Sequence, residues 1–181
     1  HFLPTGIQLI VFARSRLNVE ILVTYIKETA RQLKIAPGKI RGYRGGYLPK
    51  ERREIERGLR DGSIQVVVST NALELGIDIG QLDVSIMAGY PGSISSTWQQ
   101  AGRAGRRQTT AVSILVTSSS PLDQYIAEHP GYFFDKNPET ANIDQDNLPI
   151  MMSHLKAAAF ELPFTTEEKF GTDATQQLLQ Y

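Results

Sequence analysis

The sequence predicts an α/β fold built on an open, mainly parallel sheet that is flanked by helices. Short apolar runs of strand type alternate along the chain with longer segments whose apolar residues repeat at the helical period. The runs are apolar at nearly every position, as in "QVVVST" at 65–70, which is typical of strands covered on both faces. Strands that alternate with helices favour parallel pairing through right-handed crossovers.

The elements follow one another in a regular order. Strands are predicted at residues 8–13, 39–44, 65–70, 83–89 and 111–118. Between the first two, apolar residues at helical spacing predict a helix over 16–34. Pro49 suits the first turn of a second helix. Further helices are predicted from Ser95 to Ala104 and after the Ser120–Pro121 pair.

The chain changes character after about residue 134. A polar segment punctuated by prolines, residues 135–148, is typical of a linker. An apolar helix is predicted over 150–162, and the stretch from Thr165 is typical of another short helix. We therefore expect a main domain at 1–134, a linker at 135–148 and the helical start of a following region at 149–181.

The composition excludes several classes of function. The 19 Lys and Arg residues equal the 19 Asp and Glu residues, so no global basic field points to nucleic acid, and such contacts must come from local patches. The absence of cysteine removes disulfides and thiolate zinc sites, and the 3 histidines share no spacing that predicts a metal site. No apolar run reaches the roughly 18 residues of a membrane span. We expect a soluble, cytoplasmic chain with no membrane partner, and the abrupt start "HFLPTG" is typical of a piece of a longer protein.

Polar loops follow four of the predicted strands and would meet at one edge of a parallel sheet. The loops are "ARSR" at 13–16, "RGGY" at 44–47, "STNALELGID" at 69–78 and "GYPGS" at 89–93, the last leading into "WQQAGRAGRR" at 98–107. Guanidinium groups, hydroxyls and backbone N–H groups are the donors that bind phosphates. Their clustering predicts a polyanion site at this edge.

Each loop taken alone has a simpler interpretation. Arg14 and Arg16 fit solvated residues at a helix start, and the Gly45–Gly46 pair fits a plain turn. Asp78 fits an Asx-turn residue. Glu74 fits a partly buried partner of a cation rather than an acid–base catalyst. The loops indicate a ligand site through their clustering, and these alternatives stay open for the single residues.

The motifs resemble those of superfamily 2 helicases of the DEAD/DEAH-box kind. "LIVFARSR" resembles motif IV, "STNALELGIDIG" motif V and "QQAGRAGRR" motif VI, in the order and spacing of that family. "YRGGYLPKERREIERGL" and "AGYPGSISSTWQQAGRAGRR" are most similar to the YprA-like (MrfA) branch of DNA-repair helicases. The likeness is strong over about residues 7–118, and the tail resembles the start of the winged-helix region of that branch.

The resemblance implies the second RecA-like lobe of a P-loop NTPase motor, with ATP and Mg²⁺ bound mainly by a first lobe. The catalytic arginine fingers of such a motor match Arg103 and Arg106. The ATP-binding positions match Gly76, Asp78, Gln99, Arg103 and Arg106. The positions that grip the phosphates of single-stranded DNA match Arg14, Ser15, Arg44, Gly45, Gly46, Ser69, Thr70 and Asn71. No position matches a metal ligand.

The motifs of a first lobe are missing from the sequence. The only Gly-Lys pair, Gly38–Lys39, precedes Ile40, so there is no Walker A motif, and no Walker B tetrad is present. We therefore expect the chain to be inactive alone and to work with the N-terminal RecA-like lobe of the same full-length protein. Its expected nucleic-acid partner is single-stranded or tailed duplex DNA, with a bacterial nucleoid location. An RNA helicase lobe and a non-catalytic nucleotide- or nucleic-acid-binding module are the alternatives.

Overall fold

A sheet of parallel strands forms the centre of the structure. The computed structural model describes residues 1–80, 82–105, 110–141, 143–144, 147–165, 168 and 170. The strands are β1 (Leu9–Ala13), β2 (Ile40–Tyr43), β3 (Val66–Ser69), β4 (Val84–Ala88) and β5 (Val112–Val116). They lie in the order β2-β3-β1-β4-β5, and every neighbouring pair is parallel. The predicted open parallel sheet is confirmed.

Helices connect the strands and begin where local capping groups allow. They are α1 (Arg16–Gln32), α2 (Pro49–Arg60), α3 (Ile94–Ala101), α4 (Pro121–Glu128), α5 (Gly131–Phe134) and α6 (Leu148–Glu161). The Ser15 hydroxyl accepts a hydrogen bond from Asn18 N at 3.1 Å and so caps α1. Ser93 caps α3 in the same way, through Ser96 N at 3.0 Å. Ser15 directly follows the predicted site residue Arg14, so its cap also fixes the end of that loop.

Two helix predictions differ from the structure. α3 ends at Ala101, although the helix is predicted to reach Ala104. The backbone tightens there because Arg103 N and Ala104 N bond three residues back, and Ala104 forms a bridge with Leu82 beside the sheet. The short helix α5 is not predicted, because four residues are too few to show a helical period. The helix predicted after Thr165 falls largely outside the described residues.

Apolar side chains of the sheet enter two separate layers. Along β1, Ile10 and Phe12 pack in the layer that contains the buried residues of α2, whereas Val11 and Ala13 pack in the layer that contains those of α1. All five β1 residues are therefore buried. Helices on both faces explain why the strands have no polar face in the sequence.

The parallel arrangement brings the ends of the strands to one side, here called the C-terminal edge. The loops along this edge follow β2, β3, β1 and β4 in that spatial order. After β1 the chain turns towards the β2 side of the sheet, and after β4 it turns towards β5. β1 and β4 therefore flank the topological switch point, where open α/β sheets usually bind ligands.

The chain divides into two compact units, residues 1–139 and 140–181. The second contains α6, whose N-terminus is capped by the Asn147 side chain through Ile150 N at 3.3 Å. Met151 and Leu155 are its buried residues in the described part of the chain. No helix of the described residues is long and apolar enough to cross a membrane.

Candidate functional site

A polar cavity of about 350 Å³ opens at the switch point of the sheet. Its lining comes from the ends of β1 and β4, the turn after β3 and one face of α3. The lining residues are Phe12, Ala13, Arg14, Asn71, Glu74, Ala88, Gly89, Pro91, Ser96 and Gln100. Arg14 and Asn71 are both predicted to contact the DNA strand. They line the same cavity although they are far apart in the sequence.

A buried carboxylate holds Arg14 at the mouth of the cavity. The Arg14 guanidinium forms a salt bridge with Asp123 and donates from Nε to Tyr90 O at 3.0 Å. Asp123 also accepts from the backbone N–H and the hydroxyl of Ser118, both at 2.8 Å. Asp123 is 0 % exposed, whereas the side chain of Arg14 keeps 44 % of its surface in solvent. The buried carboxylate therefore fixes the orientation of Arg14, while part of the Arg14 side chain stays accessible to a ligand.

Hydrogen bonding sets the protonation of Asp123. Burial raises its pKa, but the Ser118 donors and Arg14 outweigh that effect and lower the pKa from 3.8 to about 2. The carboxylate stabilises the fold above the unfolded-state pKa, and this contribution is lost as the pH falls from about 4 to about 2. The position of Arg14 is consequently insensitive to pH near neutrality.

The substitution Asp123→Asn is expected to lower the free energy of unfolding by about 1–3 kcal/mol at pH 7, because an amide NH₂ then faces the Ser118 donors. The loss should shrink as the pH approaches 2, where the wild-type carboxyl also becomes protonated. Urea unfolding from pH 2 to 7 measures both effects. Glu54→Gln, at an exposed position of α2, is the matched control. A loss of equal size at pH 2 and pH 7 would contradict the assignment.

Gly89 leaves the space that Arg14 occupies. Its φ is +91°, and a Cβ there would lie 2.7 Å from Arg14 Nε. Gly89→Ala is expected to cost more unfolding free energy than Gly92→Ala, which has φ +108° but no atom within 4 Å of the added Cβ. The left-handed backbone alone costs about 1–3 kcal/mol. Thermal unfolding of the two variants separates the contact with Arg14 from backbone strain, and equal losses would show that Arg14 moves aside freely.

A second arginine is held by a carboxylate on the opposite side of β3. Arg44 Nε donates to Glu20 Oε1 at 2.7 Å, and the Tyr47 hydroxyl donates to the same oxygen at 3.1 Å. The Arg44 guanidinium also lies 4.8 Å from the Tyr47 ring centre. The hydrogen bond from Arg44 is the main cause of the lowered pKa of Glu20. Residues 44–47 form a turn through Tyr47 N and Arg44 O at 3.4 Å, with Gly46 at φ +102°.

The segment after β3 forms a single 3-10 turn. Ser69 ends the strand fully buried, and its hydroxyl has no hydrogen-bond partner in the described structure. Thr70 precedes the turn and accepts from Ala72 N at 3.4 Å, and Asn71 is exposed. Three residues of this segment are predicted to contact the DNA strand. Thr70 and Asn71 reach the surface, and Ser69 does not.

Arg103 is buried against the loop that follows this turn. Its Nε and Nη2 donate to Glu74 O at 2.9 and 2.5 Å, and its Nη1 donates to Ile77 O at 2.9 Å. The residue is 7 % exposed. The guanidinium therefore ties the "LELGID" loop to the end of α3 in this structure.

Two of the other predicted nucleotide-binding residues, Gly76 and Asp78, belong to the same loop. Gly76 is exposed with φ +76°, and Asp78 accepts from Gly80 N at 3.0 Å, as an Asx turn requires. Gln99 is partly exposed on α3 and donates to the Ser95 hydroxyl at 3.5 Å. Arg106 lies outside the described residues.

Sequence reasoning missed two residues that organise the site. Asp123 shows only as an acid in the first turn of a predicted helix, which is a common capping position. In the sequence Glu20 is one of several charged residues of α1, and its partner Arg44 lies 24 positions away. No local pattern points to either pairing, because both partners are brought together by the sheet.

The model of the helicase conserved C-terminal domain matches residues 3–108. The chain belongs to this family. The match contains both the "LELGID" loop and residues 102–105 after α3, which include Arg103 and are here called the arginine segment.

Individual relatives place this helicase C-terminal domain within the family. It is 59 % identical over 180 residues to the ATP-dependent helicase YprA of Bacillus subtilis (strain 168), with 99 % of the chain and 24 % of the relative covered. The crystal structure of the DUF1998 helicase MrfA bound to DNA and AMPPNP matches with a TM-score of 0.88 and 59 % identity, covering 99 % of this chain and 25 % of that one. These likenesses confirm the predicted YprA-like (MrfA) branch.

A more distant relative confirms the RecA-like fold. The Mycobacterium smegmatis helicase Lhr, in a structure bound to single-stranded DNA and AMP-PNP, matches with a TM-score of 0.77 and 26 % identity. The match covers 99 % of this chain and 25 % of that one. The chain thus spans about a quarter of the length of these relatives.

Proposed function

We propose that this helicase C-terminal domain is the second motor lobe of an ATP-dependent DNA helicase or translocase. In this proposal residues 1–134 are the lobe, residues 135–148 a linker and residues 149–181 the helical start of a winged-helix-like region. Its partners are the N-terminal RecA-like lobe of the same protein and single-stranded or tailed duplex DNA. A DNA motor of a bacterium would work in the cytoplasm, at the nucleoid.

The observation that carries the proposal is the connection between the "LELGID" loop and the arginine segment. Arg103 spans Glu74 O and Ile77 O, so the loop and the end of α3 form one unit. A motor lobe has to transmit movement between its nucleotide side and its strand side, and a shared, internally bonded unit supports such transmission.

On the nucleotide side we assign the finger role to Arg106 and Arg103. A guanidinium near the γ-phosphate would neutralise the charge that develops during phosphoryl transfer. Because Arg103 donates to two carbonyls here, it would act at the phosphate only after leaving them, or else through the loop that it holds. Gly76, Asp78 and Gln99 would then border the ribose and the other lobe.

On the strand side we assign phosphate contacts to the C-terminal edge. Arg14 and Arg44 are oriented by carboxylates, and Ser15 and Thr70 carry hydroxyls just after the ends of β1 and β3. Backbone N–H groups at Gly45, Gly46 and Asn71 would complete the grip. Ser69 would contribute by ending β3, since its side chain is buried. Contacts to phosphates carry no base information, which suits a motor that moves along any sequence.

ATP and Mg²⁺ would be held mainly by the other lobe. When bound, ATP supplies the phosphoryl group on which the arginines act. The sequence offers the guanidinium groups of Arg103 and Arg106, whose planar donors match phosphate oxygens in chemistry. Its own residues would therefore orient and neutralise the phosphates rather than coordinate the metal.

The test compares the product of the complete gene with the isolated 181-residue chain. ATP hydrolysis is measured without nucleic acid, with single-stranded DNA and with RNA of equal length. We expect hydrolysis stimulated at least tenfold by DNA for the complete protein and none for the isolated chain.

Three outcomes would contradict this proposal. Stimulation by RNA but not by DNA would favour an RNA helicase lobe. No nucleic-acid-stimulated hydrolysis by the complete protein would favour a non-catalytic binding module. Hydrolysis by the isolated chain that Arg106→Ala abolishes would refute its inactivity alone.

A further inference from the structure

Glu74 makes hydrogen bonds to α3 through its side chain and to Arg103, which follows α3, through its backbone carbonyl. Its Oε1 accepts from the Ser96 hydroxyl at 2.6 Å, and its Oε2 accepts from Gln100 Nε2 at 2.9 Å. Its backbone carbonyl accepts from Arg103 at 2.9 and 2.5 Å. Every acceptor atom of the residue thus contacts α3 or the segment that directly follows it.

The partners on α3 form a single stripe. Ser96 and Gln100 are four residues apart and so lie on the same face of the helix. Gln100 is 6 % exposed, and its backbone carbonyl accepts from the Ser85 hydroxyl of β4 at 2.8 Å. Glu74 is therefore bonded to α3 at Gln100, the residue through which α3 is also hydrogen-bonded to β4.

On its other side Glu74 closes the 3-10 turn that carries the proposed strand contacts. Glu74 N donates to Asn71 O at 2.9 Å, and the turn covers residues 71–73. Thr70 and Asn71, the surface residues of this segment, lie within four positions of Glu74. Movement of the turn would displace the carboxylate and the carbonyl together, because a 3-10 turn is short and internally bonded.

We propose that Glu74 is a positioning residue that couples strand contact at Thr70 and Asn71 to the placement of the arginine segment. The role rests on the proposed motor function. A strand that shifts the turn shifts Glu74, and Glu74 moves α3 and Arg103 through its four hydrogen bonds. The carboxylate acts here as a double acceptor and takes part in no proton transfer.

Substitutions can separate the acceptor role from the charge. Glu74→Gln keeps an acceptor for Ser96, and its NH₂ can donate to Gln100 once the Gln100 amide flips. Glu74→Ala removes both side-chain bonds but leaves the carbonyl. Ser96→Ala removes one bond at a partly exposed position and serves if Glu74→Ala folds poorly. Glu54→Ala, an exposed glutamate of α2, is the matched control.

The experiment measures ATP hydrolysis and DNA affinity of the protein made from the complete gene. For Glu74→Ala we expect DNA-stimulated kcat to fall at least tenfold, with KM for ATP and DNA affinity within about twofold of wild type. Glu74→Gln should keep at least half of the stimulation, and Ser96→Ala should fall between the two. Glu54→Ala should match the wild type.

Several outcomes would overturn the coupling role. Unchanged stimulation in Glu74→Ala would remove it, and a tenfold loss of DNA affinity would make Glu74 a strand contact instead. If Glu74→Gln were folded and as defective as Glu74→Ala, the negative charge itself would be required.

A failure of the proposed motor function is distinguishable from a failure of this inference. If the wild-type protein shows no DNA-stimulated hydrolysis, the motor function fails, and amide exchange of the 181-residue chain then tests the positioning role alone. Amides of residues 96–103 should exchange at least tenfold faster in Glu74→Ala and near the wild-type rate in Glu74→Gln. Equal rates in all three proteins would refute the positioning role.

Discussion

Arg106→Ala in the protein made from the complete gene is expected to lower DNA-stimulated ATP turnover by about 10³–10⁵-fold, the range that arginine fingers contribute in GTPases. The reason is electrostatic: a guanidinium beside the γ-phosphate would neutralise the charge that develops there, whereas Arg103 donates to carbonyls in this structure. Affinity for single-stranded DNA should stay within about twofold. Steady-state hydrolysis and fluorescence anisotropy measure the two quantities.

Two further variants separate the finger role from a general loss of charge. Arg106→Lys keeps the charge but not the planar fork of donors, so most of the loss should persist. Arg53→Ala removes an exposed arginine of α2 and should leave turnover close to wild type. If Arg106→Ala instead abolished DNA affinity, Arg106 would belong to the strand side of the lobe.

Arg103→Lys is expected to damage both stability and turnover. A lysine ammonium cannot reproduce the planar guanidinium fork that donates to Glu74 O and Ile77 O, so at least one carbonyl loses its donor. The unsatisfied carbonyl costs about 1–3 kcal/mol of unfolding free energy. Turnover in the complete protein should fall by about 10²-fold or more, because the loop and the end of α3 lose their connection.

The two arginines therefore predict different patterns. Arg103→Lys should lower the urea midpoint of the 181-residue chain and speed amide exchange at residues 74–78, whereas Arg106→Lys should change neither. Lys39→Ala, at a solvent-facing turn before β2, is the stability control. A stable Arg103→Lys protein with slow turnover would show that Arg103 acts at the nucleotide and that its carbonyl contacts contribute little.

Most of the fold could be predicted because the relevant physics is local. A strand covered on both faces has to be apolar throughout, and "QVVVST" contains β3 within one residue at each end. The end of α3 could not be predicted, because Ala104 leaves the helix to pair with Leu82 across the chain. That choice depends on a contact that only the completed sheet provides.

For the candidate site, the sequence likewise predicts which loops come together. Parallel strands send their following loops to one edge, so the meeting of Arg14 and Asn71 follows from topology alone. The partners of the arginines do not follow from it. Asp123 is 109 positions from Arg14. Arg103 is held by backbone carbonyls, which every residue carries, so no residue type in the sequence marks its partners. The chemistry of the loops was therefore visible, whereas the side chains that orient it were not.

The pairing of Arg14 with Asp123 and of Arg44 with Glu20 has a consequence for how salt would act on strand binding. DNA affinity falls with salt in proportion to the phosphates that cations neutralise, because condensed counterions are released. An arginine that already faces a carboxylate releases fewer of them than a free one. The strand side of the lobe would thus hold DNA at Arg14 and Arg44 by aligned donors more than by charge. DNA affinity would then fall little as ionic strength rises. It would fall readily when a movement of the lobe takes the donors out of line with the phosphates.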